Sequence, residues 1–190
     1  MVSVLLIDNN DSFTYNLAES LRSCSKVSFK IIKAGTVDTE KIRSFDKILI
    51  SPGPGIPEEH PIISAILEEY GKSKSIFGVC LGHQAIALHF GAQLINLDRV
   101  RHGEVTAVSI LSAGNRLFSG VPDPFPAGLY HSWAVGRDNL PESLGITATS
   151  PDGIIMALEH RSLDIRGVQF HPESVMTPHG QRIIENWLAI

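Results

Sequence analysis

Three apolar runs, Val2–Ile7, Lys47–Ser51 and Ser75–Cys80, constrain this chain more than any other feature. Each is too short for a buried helix, and none alternates. Both facts point to strands covered on two faces, as in a parallel sheet. Val27–Lys33 alternates and adds a fourth strand. Helical patterns fall between them: one to about Ser23 with Asp11 or Ser12 as cap, one over Ile62–Tyr70, and one from Leu81 to about Phe90. This order predicts an α/β fold, a mostly parallel central sheet with helices on both faces. Beyond about residue 95 the pattern changes. Val105–Leu111, Gly128–Val135, Gly145–Thr149, Ile154–Glu159 and Ile165–Phe170 read as closely spaced strands, with Asp152-Gly153 as a hairpin turn. They predict an additional β-rich, antiparallel portion inserted in one domain over 1–190, closed by a helix from about Pro178 to Ile190. Arg99-Val100-Arg101-His102 reads as a solvated loop.

The size and charge narrow the function. The chain has 190 residues, and its formal net charge is −4. Surface scaling gives a folded area of about 8,900 Å² and burial of about 70% of the chain's surface, enough for a core without staples. No basic stretch provides the footprint that phosphate contacts need, which argues against nucleic acid. No apolar run reaches the ~18–20 residues of a membrane span. Two cysteines, Cys24 and Cys80, are too few for a disulfide framework, and the first residues lack a leader pattern. The expected compartment is the cytoplasm.

Three segments carry chemistry. Gly78-Val79-Cys80-Leu81-Gly82 lies where a strand turns into a helix, the pattern of a nucleophile elbow with cysteine in the serine position. Small residues two before and two after the nucleophile relieve the crowding of that turn. The helix N-terminus favours a thiolate, and the N–H of Leu81 is free to donate. A free cysteine is otherwise usually buried and inert. Cys24, with no glycines around it, is expected to be so. His171-Pro172-Glu173 follows a strand, and an extended conformation would point residues two apart the same way. Glu173 can then fix the tautomer of His171, giving a thiol the oriented base it requires. Ser51-Pro52-Gly53-Pro54-Gly55-Ile56-Pro57 also follows a core strand, at the carboxyl edge where α/β proteins bind ligands. Only Gly53, Gly55 and Ile56 have N–H groups to offer among the last five of these residues, and one of them with Leu81 would make a two-point oxyanion hole. No histidine spacing predicts a metal site.

The order of these segments, with Cys80-Leu81-Gly82-His83-Gln84, resembles the class I (triad) glutamine amidotransferases. Asp8-Asn9-Asn10-Asp11-Ser12-Phe13-Thr14-Tyr15-Asn16, Tyr130-His131-Ser132 and His171-Pro172-Glu173-Ser174 resemble component II subunits of anthranilate and para-aminobenzoate (aminodeoxychorismate) synthases. The resemblance covers essentially the whole chain. It implies a flavodoxin-like fold, Cys80 as nucleophile, His171 as base and acid, and Glu173 as its orienter. It also implies an oxyanion hole from the N–H groups of Gly53 and Leu81, and glutamine contacts from Gly53, Gly55, Gln84, Ser132 and Trp133. No cofactor is implied for this chain; Mg²⁺ is expected in a chorismate-binding synthase component I that receives the ammonia. Two positions depart from the family pattern: Glu104 replaces a lysine, and Trp133 replaces a smaller aliphatic residue. Two rivals remain. A cysteine-type α/β-hydrolase would normally place its acid before the histidine. A non-catalytic amidotransferase-like binding module would not need the complete Cys80, His171 and Glu173 set.

Overall fold

In a computed structural model, residues 1–112 and 114–190 are described. The four strand runs of the first half become β1 (Val2–Asp8), β2 (Val27–Lys33), β3 (Lys47–Ile50) and β4 (Ser75–Val79). The later strands are β5 (Leu94–Ile110), β6 (Phe125–Val135), β7 (Leu144–Thr149), β8 (Ile155–His160) and β9 (Ile165–Val168). They form one sheet in the order β2-β1-β3-β4-β9-β8-β7-β5-β6. The β2-β1-β3-β4-β9 half is parallel, and the remaining neighbours pair antiparallel. The second-half strands therefore extend the parallel sheet beyond β9, as an insertion between β4 and β9 in the chain.

The helices are α1 (Thr14–Arg22), α2 (Thr39–Ile42), α3 (Pro61–Tyr70), α4 (Leu81–His89) and α5 (Gly180–Ala189). Leu17 and Leu21 of α1 and Ile183, Ile184 and Trp187 of α5 pack on one face of the sheet with Val4, Leu6, Leu49 and Phe77. Ile63, Ile66 and Leu67 of α3 and Ala85 and Ile86 of α4 pack on the other with Leu5, Ile7, Ile48, Ile50 and Ile76. Adjacent residues of β1 and β3 thus enter opposite cores, which is why their apolar runs do not alternate. β2 alternates because it is the edge strand and is only half-buried. The accessible surface, 8563 Å², is close to that expected from mass.

Some expectations are corrected. α1 begins at Thr14, with Phe13 at its cap position and no side-chain cap bond. Asp11 acts one turn earlier, accepting from the Phe13 N–H at 2.8 Å. The closing helix begins at Gly180 rather than Pro178. Arg99–His102 is not a loop but lies within β5, a 17-residue strand paired with β6. Its register shifts between Asn96 and Arg101 and again between His102 and Glu104. Such bulges break the alternation by which a strand is recognised in sequence. Arg101 is half-buried and ion-paired with Asp152 of the β7–β8 turn.

Candidate active site

The parallel register carries three chain segments to one place. Gly78 of β4 pairs with Ile50 of β3 and with Gly167 of β9. Residues just past these strands, Ser51–Gly55, Cys80–Leu81 and Gln169–His171, therefore meet at the carboxyl edge. The Cys80 N–H still bonds the Val168 carbonyl at 2.8 Å, and the chain then turns abruptly into α4. Cys80 takes φ 51° and ψ −101°, an unusual conformation for a residue with a Cβ. Close approach makes the turn possible. A Cβ on Gly78 would stand 2.4 Å from the Gly82 carbonyl carbon, and one on Gly82 would stand 2.7 Å from the Ile50 carbonyl oxygen.

His171 and Glu173 are buried, and His171 Nδ1 lies 2.7 Å from Glu173 Oε1. A carboxylate accepts, so Nδ1 carries the proton of this bond and Nε2 is left for another partner. Their backbone is not extended as expected. The Ser174 N–H bonds the His171 carbonyl at 3.2 Å, closing a turn with Pro172 at its second position, where proline's fixed φ is favoured. The turn still brings Glu173 back to the ring. Nε2 is buried with no hydrogen-bond partner among the described residues, although the Cys80 sulfur is near enough to act on its charge. Burial opposes a charged ring. The Cys80 sulfur and the Glu173 carboxylate outweigh it and hold His171 well above its ordinary value.

A cavity of about 180 Å³ opens over the sulfur, lined by Gly53, Gly55, Cys80, Leu81, Gln84, Tyr130, His131, Ser132 and Trp133 among others. Every residue expected to bind substrate lies on its wall. Gly53 abuts the elbow so closely that a Cβ would stand 2.4 Å from Leu81 Cδ2. Asn9 holds this loop by donating from Nδ2 to the Ser51 carbonyl at 2.9 Å. A larger groove, about 390 Å³, lies at the amino edge beside Cys24. It lacks convergent polar side chains of this kind, and burial pushes the Cys24 thiol up, away from reactivity. Among the described residues no group of three or more His, Cys, Asp or Glu side chains is placed to hold a metal ion.

The structure adds residues that motif reasoning did not single out. The ring of His171 sits against Phe13 at 5.0 Å and Tyr130 at 4.8 Å between centroids. Gln169 brings its side-chain amide to 3.6 Å from the sulfur. His83 and His131 are buried, and burial lowers them to about 3 and about 4; Arg101 and His171 also lower His131. Of the two departures, Glu104 pairs with Arg99 at 2.9 Å on β5, while Trp133 offers both its side chain and its carbonyl to the pocket region.

A family model described as "Glutamine amidotransferase class-I" matches residues 5–190, and the chain belongs to that family. It is 43% identical over 189 residues to a putative anthranilate synthase component II of Haemophilus influenzae, covering 100% of this chain and 97% of that protein. It is 39% identical over 186 residues to the aminodeoxychorismate/anthranilate synthase component 2 of Bacillus subtilis, covering 97% of this chain and 95% of that protein. Its structure is similar to that of a putative GMP synthase protein from Thermoplasma acidophilum. There the TM-score is 0.88 with 26% identity, over 100% of this chain and 93% of the other.

Proposed function

We propose that this chain is the glutaminase subunit of a chorismate-using synthase. One observation carries the reading: the His171–Glu173 pair, 2.7 Å apart and buried, faces an elbow cysteine that opens into a small pocket. Cys80 Sγ attacks the carboxamide carbon of L-glutamine, and the N–H groups of Gly53 and Leu81 receive the oxyanion. The C–N bond breaks as His171 Nε2 gives its proton to the leaving nitrogen, releasing ammonia and leaving a γ-glutamyl thioester. Water then attacks the thioester carbon and loses a proton to His171. The sulfur leaves, and glutamate is released. Glu173 keeps the ring oriented and offsets its positive charge.

The relatives from Haemophilus influenzae and Bacillus subtilis are components II of anthranilate synthase and of aminodeoxychorismate/anthranilate synthase. By that likeness the ammonia passes to a chorismate-binding component I, which makes anthranilate or 4-amino-4-deoxychorismate. The Mg²⁺ requirement belongs to that partner. The test is product formation by the complex with Cys80→Ser. Synthesis from glutamine should be lost, while synthesis from added ammonia persists. Retention of glutamine-dependent synthesis would overturn the assignment of Cys80.

A further inference from the structure

A row of amide groups runs from the pocket wall to the sulfur, and a backbone carbonyl fixes its polarity. The Trp133 carbonyl only accepts, so the Gln84 atom 2.7 Å away must be the nitrogen Nε2. That nitrogen also lies 3.1 Å from Gln169, so Gln169 turns its oxygen to Gln84. The nitrogen of Gln169 is thereby directed at Cys80 Sγ, 3.6 Å away. Gln84 and Gln169 are both buried, Gln169 completely. Neither amide can rotate without losing a bond that water cannot replace there.

We propose that Gln169 is the donor that holds the Cys80 sulfur in its anionic form and ties that form to Gln84 on the pocket wall. The proposal rests on the reading of Cys80 as nucleophile. An N–H bonds a thiolate more strongly than a thiol, because the acceptor carries charge. An amide does not titrate, so Gln169 keeps its proton while His171 gives one up and takes one back. The benefit falls twice: in the resting thiolate, and when sulfur leaves the thioester. Gln169 and His171 are two residues apart beyond β9, which lets one short segment serve both roles.

The titratable neighbours are few. His171 and Glu173 lie in the turn beyond β9, His83 on α4, and Tyr130 and His131 on β6; Glu59 stands behind Gly55. His83 and His131 are held neutral by burial. A change at Gln169 is thus read chiefly against the His171–Glu173 pair.

The experiment measures carbamidomethylation of Cys80 by iodoacetamide against pH in wild type, Gln169→Leu and Gln169→Glu, with sites located by peptide mass spectrometry. Cys24 in the same sample serves as the reference thiol, and circular dichroism confirms folding. Leucine removes the donor, and glutamate sets a carboxylate beside the sulfur. The expected order of the profiles is wild type lowest in pH, then Gln169→Leu, then Gln169→Glu. The first displacement should be about one pH unit, an approximately tenfold loss of reactive sulfur below the plateau. Turnover of glutamine by Gln169→Leu, in complex with component I, should fall at neutral pH and recover at higher pH. Coincident profiles, or a loss equal at every pH, overturn the proposal and make Gln169 a packing residue. Should both variants misfold, the wild-type chain with ¹⁵N-labelled glutamine decides. The Gln169 amide resonances should move when Cys80 is alkylated, and unmoved resonances refute the contact. Failure of the parent reading looks different: wild-type Cys80 alkylated with no loss of glutaminase turnover.

Discussion

Replacing Gly78 by alanine tests the elbow without touching any reacting group. The added Cβ would stand 2.4 Å from the Gly82 carbonyl carbon, 2.5 Å from its oxygen and 2.7 Å from Ile86 Cδ1. Two of those atoms are backbone at the start of α4, so no side chain can swing aside to make room. Overpacking of a filled site costs about 1–3 kcal/mol, and contact with backbone places this one at about 3. For a domain of this size each kcal/mol lowers Tm by about 2–4 °C, giving a drop of about 6–12 °C. The strain is relieved by moving α4 away from β4, which carries the Leu81 N–H and the Cys80 sulfur off their line to His171. Glutaminase turnover should therefore fall by more than the loss of folded protein explains. Gly35→Ala is the control, because a Cβ there meets nothing within 4 Å and the backbone is not left-handed. It should leave Tm unchanged or raise it slightly. Melting by differential scanning fluorimetry and turnover at a temperature where both variants are folded supply the readouts. Equal melting and full activity in Gly78→Ala would refute the close-packed elbow.

Further outcomes follow from the same geometry. Cys24→Ser should leave turnover near wild type in a glutamine hydrolysis assay, since Cys24 lies at the opposite edge of the sheet. His171→Ala should lower kcat at saturating glutamine more than Glu173→Ala, because the ring moves protons and the carboxylate only orients it; the reverse order would exchange their roles. Acid should destabilise the fold through His83 and His131. Their folded values of about 3 and about 4 lie below the unfolded value near 6.5, so the unfolded chain binds more protons between these limits. Stability should thus fall as pH drops through that window, by up to a little over 1 kcal/mol per pH unit for each ring. His171 has the opposite sign: its raised value stabilises fully below about pH 6.5, and the contribution is lost as pH rises toward the folded value. Urea midpoints from pH 4 to 7 for wild type and His83→Leu provide the check, with a shallower slope expected in the variant.

The sheet core was legible because β1, β3 and β4 are covered on both faces and so read as unbroken apolar runs. The elbow was legible because its two glycines answer contacts inside one turn. What was hidden depended on long-range pairing. The Arg99–His102 segment is strand only because β6 lies beside it, and its bulges erase the local signal. The His-Pro-Glu turn is closed by Ser174, which an extended reading of the proline did not anticipate. Phe13, Tyr130 and Gln169 lie 41 residues or more from at least one group they serve, and no local spacing announces the contacts. Gln169 could have been noticed as a polar residue at the end of an apolar strand, two before the histidine; the sulfur it faces is 89 positions away.

The central claim is that glutamine becomes covalently attached to Cys80 before it is hydrolysed. Mixing the chain with component I, chorismate and glutamine, quenching in acid within one turnover and mapping the peptides by mass spectrometry tests it directly. A γ-glutamyl adduct on the Cys80 peptide, absent from Cys80→Ser and decaying as glutamate appears, is the expected result. Glutamine turnover without an adduct at Cys80, or continuing in Cys80→Ser, would contradict the account.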